Sequence, residues 1–586
     1  MGVDADAVRD LYHASTCLSE LGLYHAAKWV AEALNGLPKD QVDAAMATVA
    51  TNGPSFPTEY YQCSPTEQAK FTLAKCYFQC KEFDRAALTL APLTSPCCVF
   101  LRLYARVIAI DKRATEESDG SINWAVPKSD VVLAADDDDQ KSPPAEDTLR
   151  AQLTKILQEI DTLTRHQSSP NPFYLYLAGA IYNKQKKYSL AAQYLVKSVL
   201  SFPYNWSAWK ELASTLTTLD EALQLLTKLK QAPKVSLLVF DIFEVVVLQQ
   251  FYQSSPELVD RVMALQHQFP HFYFLKVQQF LIAYHSMDYV KAEQVYDDIL
   301  VGDPLRLDDL DTFSNMLYVM EKRSKLSYLA HYASQVDKFR PETCCVVANY
   351  HSMKGEHEKA IMYYQRALAL NKQCISAWTL MGHEFVELKN SHAAIESYRR
   401  AVDQNPRDFR AWYGLGQAYE VLDMNLYALY YYQKATNLQP LDKRMWQALG
   451  NCYEKSDKLE EAAKAFEKAL MIDNFRAGGA HHGDDTDGDA YQSVLEPHVV
   501  YRLAIISEKL GQVATTFRYM KLCFGQEYEW GETDETTKAR LWLARHALEN
   551  KRFDEAYELA KELNRGNAHD IEEARSIARD ARSRMK

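Results

Sequence analysis

His383 and Glu384 stand side by side in the chain, and an imidazole next to a carboxylate supplies two of the three members that a nucleophile or a metal site requires. The third member is missing. The sequence holds no GxSxG, no HExxH, no Walker loop, no GxGxxG opening a helix after a strand, and no paired cysteines at zinc spacing. Asp485, Asp487 and Asp489 are spaced like the start of a calcium loop, but the turn glycine after the third Asp and the closing Glu are absent. The eleven cysteines lack CxxC spacing, and the doublets Cys97–Cys98 and Cys344–Cys345 read as small core residues of a reducing compartment. The expectation is therefore no catalytic residue, no cofactor and no metal. What remains for these side chains is binding.

The elements that must position them repeat. Trp378, Trp412 and Trp446 are 34 residues apart, and each opens the same pattern. With Trp as position 4, position 8 is Gly382, Gly416 and Gly450, and position 20 is Ala394, Ala428 and Ala462. Position 24 is Tyr398, Tyr432 and Phe466. Small residues at 8 and 20 let two helices approach closely, and the aromatic slots fill the grooves beside that contact. This is the tetratricopeptide (TPR) pattern, a pair of antiparallel helices per repeat that is stable only when stacked on its neighbours. Pro406 and Pro440, at position 32, fall where a helix must already have ended.

Weaker copies flank the strong series. Ala14, Ala26 and Ala33 mark one near the start, and Leu73, Ala74, Tyr77 and Ala86 the next. Ala178, Gly179, Ala191 and Pro203 mark a third; Trp209, Leu212 and Ala213 open a unit that is shortened after Leu216. Ala544 and Ala556 belong to a final pair. The reading is an all-α TPR superhelix, an α-solenoid of about a dozen or more helix pairs. Its expected divisions are 1–110 N-terminal repeats, 111–147 an acidic disordered insert, 148–305 a middle array, 306–474 a C-terminal superhelix with a peptide-binding groove, 475–492 a disordered Gly/His/Asp loop, and 493–586 C-terminal repeats. Ser142 and Ser169 each precede Pro in a polar stretch, which suits a proline-directed kinase.

A net charge of −12 argues against a nucleic-acid partner, which would need a basic face. The most apolar stretch, Val235 to Leu248, is interrupted by Asp241 and Glu244 and is too short to cross a bilayer. Met1 to Leu11 lacks the basic start and apolar run of a signal peptide. An intracellular, soluble protein is expected, with no membrane partner.

Repeat arrays bind with their inner surface. In this unit positions 2, 5, 9 and 12 of the first helix line that face. They include Asn349, then His383, then Tyr413, Gln417 and Glu420, with Glu384 next to the face at position 10. The set is polar or aromatic and carries more acid than base. A chaperone-type groove, which holds an acidic tail with Lys and Arg, fits poorly. An extended peptide carrying arginine fits better, because a carboxylate with nearby amides accepts a bidentate guanidinium.

The text between Glu342 and Glu454 goes beyond the general repeat. WTLMGHEF, the KN before AAI, and RDFRAWYGLGQ closely resemble the subunit 8 family of the anaphase-promoting complex, the cyclosome. FLRLYARVIAIDKR at 100 to 113 and PFYLYLAGAIYNKQ at 172 to 185 occur in the order that family has. The resemblance implies a non-catalytic scaffold subunit of a cell-cycle ubiquitin ligase, working in nucleus and cytoplasm. It implies a homodimer through the N-terminal repeats, contacts with other subunits of that complex, and a C-terminal groove that takes the arginine-bearing C-box of a coactivator. Matched onto this chain, Asn349 and Glu384 become the polar anchors, with His383 and Tyr413 beside them; charge logic adds Gln417 and Glu420. The alternatives are another TPR subunit of the same complex and a co-chaperone adaptor.

Overall fold

The computed structural model of the protein describes residues 5–49, 54–117, 144–165, 170–232, 237–476, 495–561 and 568–584. Every regular element among them is helical, and the helices follow one another as antiparallel pairs. The chain forms two compact units, Met1–Cys374 and Ile375–Lys586.

In the second unit the pairs Ile375–Glu387 with Ser391–Gln404, Phe409–Val421 with Asn425–Leu438, and Lys443–Lys455 with Leu459–Arg476 carry the strong repeats. The small slots are small for a measurable reason. A Cβ on Gly382 would lie 2.5 Å from the ring of Tyr398, and one on Gly416 2.5 Å from that of Tyr432. Each glycine thus lets the aromatic residue of its own second helix rest directly on the first helix. Ala394, Ala428 and Ala462 are completely buried on the facing side. The tryptophans do more than fill space. Trp412 Nε1 donates to the carbonyl of Pro406, and Trp446 Nε1 to that of Pro440, each at 2.8 Å. One repeat's first helix is thereby bonded to the turn that ends the repeat before it.

The turn inside each pair is also periodic. Lys389, Asp423 and Asp457 have φ of 57°, 56° and 58°. After each, an amide reaches back five residues: Asn390 to Phe385, Met424 to Tyr419 and Lys458 to Tyr453. That bond and the left-handed residue define a Schellman stop, which satisfies the carbonyls a helix end leaves open. Asn390, Asp408 and Asp442 then cap the next helices through the amides of Ala393, Arg410 and Arg444.

In the first unit the same devices recur with less regular sequence. Trp209 Nε1 donates to the Pro203 carbonyl at 2.7 Å, so this opening unit is joined like the strong ones. Its helix Trp206–Thr215 ends on the extended residue Leu216, and the next begins at Leu219 without a left-handed turn. Leu73 is exposed, whereas Ala74 and Ala86 carry the contact of their pair. The first pair, Ala5–Glu20 and Tyr24–Asn35, folds back onto much later helices. Trp29 stacks on Trp206 with ring centroids 4.2 Å apart and a 2° interplanar angle, and Lys28 pairs with Asp308 at 3.0 Å.

Helices Pro96–Glu117 and Pro144–Arg165 take up both ends of the segment expected to be an insert. Its remainder, including Asp136 to Asp139 and Ser142, lies outside the described residues, as do Ser169 and the Gly/His/Asp segment with Asp485, Asp487 and Asp489. Among the described residues no helix is long and apolar enough to cross a membrane.

Candidate peptide-binding groove

The position-9 and position-12 residues of the strong repeats lie on the first helix of each pair. His383 and Glu384 come from Ile375–Glu387, and Tyr413, Gln417 and Glu420 from Phe409–Val421. His383 Nδ1 lies 2.8 Å from the hydroxyl of Tyr398. Burial, helped by the nearby Arg410 cation, pushes the His383 pKa down to about 4, so the imidazole is neutral at pH 7. Burial also holds the Tyr398 hydroxyl protonated, and the charges of Glu384 and Glu387 reinforce this. Tyr398 is then the donor and His383 the acceptor. The pair is a packing bond.

Glu384 is buried, with 5% of its surface exposed. Tyr413 packs on Tyr432 at a centroid distance of 5.6 Å, and burial raises its pKa above the usual tyrosine value. Gln417 lies beside the Tyr413 hydroxyl. Glu420 is engaged at both oxygens: Tyr432 donates to one at 2.6 Å and Lys455 to the other at 2.8 Å. One repeat later Glu454 holds Arg502 and Lys509, both at 3.1 Å. Glu420 and Glu454 are therefore answered by bases of following helices. Sequence reading by helix position missed those bases, together with Arg410 and Arg444. Their available signal was the Asp-x-Arg spacing at Asp408–Arg410 and Asp442–Arg444, which recurs after 34 residues.

Asn349 belongs to the first unit, on Pro341–Met353. It is buried, its amide donates to Ser314 Oγ at 2.7 Å, and the hydroxyl of Tyr364 donates to its Oδ1. It ties its own helix both to the second helix of its pair and to a first helix one repeat earlier. What these residues offer chemically is fixed hydrogen-bonding groups and a buried carboxylate.

The fold and this surface define a tetratricopeptide-repeat protein. Repeat signatures of that class match residues 341–374, 382–422 and 444–475. Residues 6–280 match the family described as anaphase promoting complex subunit 8 / Cdc23. The chain is 40% identical to the anaphase-promoting complex subunit CDC23 of Saccharomyces cerevisiae, over 98% of this chain and 97% of that one. With anaphase-promoting complex subunit 8 of Arabidopsis thaliana it shares 35% identity over 64% of this chain and 65% of the relative. The chain belongs to the anaphase-promoting complex subunit 8 / Cdc23 family. Its fold is also that of the crystal structure of the APC/C hetero-tetramer Cut9–Hcn1, with a TM-score of 0.55 at 16% identity, covering 95% of this chain and 96% of that one.

Proposed function

We propose that this chain is the non-catalytic scaffold subunit of an anaphase-promoting complex, a ubiquitin ligase of the cell cycle acting in nucleus and cytoplasm. It pairs with itself through its N-terminal repeats, and it offers the groove of its C-terminal repeats to the C-box of a coactivator. The observation that carries this reading is the 40% identity to yeast CDC23 along nearly the full length of both chains.

Side-chain chemistry supports the groove assignment. Glu384 is the reader of the C-box arginine, because a carboxylate sheltered from water binds a guanidinium more strongly than an exposed one does. Tyr413 and Gln417 supply a protonated hydroxyl and an amide for the peptide backbone. Glu420 acts as a rim residue, since an arginine reaching it would have to displace Lys455. His383 is held by Tyr398 and contributes a fixed polar edge.

Affinity purification of the tagged full-length chain, with mass spectrometry of the co-purified proteins, tests the assignment. Stoichiometric recovery of other anaphase-promoting complex subunits is expected, together with a dimer mass for the isolated chain in sedimentation equilibrium. Recovery of chaperones without any subunit of that complex would overturn it.

A further inference from the structure

Cys63, Cys97 and Cys98 bring their three sulfur atoms within 4.8 Å of one another. Cys63 Sγ is 3.8 Å from Cys98 Sγ, which is 3.9 Å from Cys97 Sγ. A disulfide would need sulfurs about 2 Å apart, so these are separate thiols. Sulfurs bound at about 2.3 Å to one tetrahedral ion are separated by about 3.8 Å. The two short distances are thus those of a coordination polyhedron's edges.

The surroundings hold this geometry, and Cys97 Sγ itself lies 3.5 Å from the Gln62 carbonyl oxygen. Cys97 and Cys98 are buried in the first turn of Pro96–Glu117. Cys63 sits on the loop between Thr58–Tyr60 and Gln68–Gln79, and it is only partly buried, which leaves a path for an ion. The Glu67 carboxylate accepts the amides of Thr94 at 3.2 Å and Ser95 at 3.0 Å, and the Ser64 amide donates to Ser95 Oγ at 3.1 Å. Residues 62–67 are therefore laced to residues 94–98.

We propose that Cys63, Cys97 and Cys98 form a three-thiolate site for one thiophilic divalent ion, Zn2+ in the reduced chain, with the fourth position taken by water. Three soft donors on a prebuilt cradle suit zinc over the hard cations, which prefer oxygen. On binding, each thiol gives its proton to solvent and its sulfur lone pair to the metal; nothing is oxidised. The ion clips a loop that lies outside the repeat pattern to the helix Pro96–Glu117, so occupancy stabilises the N-terminal repeats.

The test uses the full-length chain, reduced and freed of metal, titrated with Co2+ and then Zn2+. The site predicts about one Co2+ per chain with thiolate-to-metal charge-transfer absorption, displaced by Zn2+. It also predicts that Zn2+ slows thiol modification at these three cysteines, read by mass spectrometry, a result independent of any variant. Cys63→Ser, at the partly exposed position, should weaken binding by more than about tenfold. Cys374→Ser, which alters the separate Cys345–Cys374 contact at 4.0 Å, should leave binding unchanged. Absence of bound metal in the native chain, or binding that Cys63→Ser leaves intact, would overturn the proposal.

Discussion

The Tyr398 hydroxyl lies 2.8 Å from His383 Nδ1, and this contact joins the two helices of the repeat that presents Glu384. Because burial lowers the His383 pKa from 6.5 to about 4, the unfolded chain takes up this proton first as pH falls. His383 therefore contributes stability that is present above about pH 6.5 and lost progressively toward pH 4, amounting to about 3 kcal/mol at most. His383→Gln keeps an acceptor for Tyr398 and removes the titration. Urea midpoints at pH 7 and pH 5 should fall less in the variant than in the native chain.

Asp309 in the first unit carries the opposite sign. Burial, then the charges of Asp311 and Asp308, raise its pKa from 3.8 to about 7. Here the folded chain holds the proton more tightly, so this group's penalty grows as pH rises from about 4 to about 7. Asp309→Asn removes the charge at a residue with φ of 60°, a conformation that asparagine tolerates. The variant should be stabilised by on the order of 2 kcal/mol at pH 8, and by less at pH 5, as read by thermal unfolding.

Gly416 lies directly against the Tyr432 ring of its own repeat. Gly416→Ala places a methyl 2.5 Å from the Tyr432 ring and should destabilise the second unit by about 1–3 kcal/mol. If that clash is the cause, the double variant with Tyr432→Leu will lose less than the sum of the two single losses. Full additivity in denaturant titrations would refute the contact as the source.

Lys389 adopts a left-handed conformation that disfavours side chains by about 1–2 kcal/mol. Lys389→Gly should therefore stabilise the repeat by about 0.5–1 kcal/mol, since glycine's greater freedom in the unfolded chain offsets part of the gain. A lowered melting temperature would contradict this assignment.

The period of 34 made the helix pairs, the buried alanines and the close glycines legible, because those slots are dictated by helix crossing alone. The turn position was harder to read: the structure needs a positive φ there, but the chain supplies Lys389, Asp423 and Asp457 in place of glycine. The Trp412–Pro406 bond was hidden because both residues already had a steric explanation. Groove acids could be placed by helix position, but their partners could not. Lys455 reaches Glu420 from 35 residues away, and that pairing depends on how successive repeats stack. The same holds for Cys63, which meets Cys97 and Cys98 from a loop that no repeat period contains.

In the proposed function the C-terminal repeats read an arginine-bearing peptide through Glu384. Fluorescence anisotropy of a labelled coactivator C-box peptide, titrated with the purified chain and with Glu384→Lys, tests it directly, with circular dichroism to establish that the variant folds. Saturable binding by the native chain is expected, with a loss of roughly 2–5 kcal/mol in the variant at unchanged helicity. Equal affinity of the two chains, or no binding by either, would contradict it.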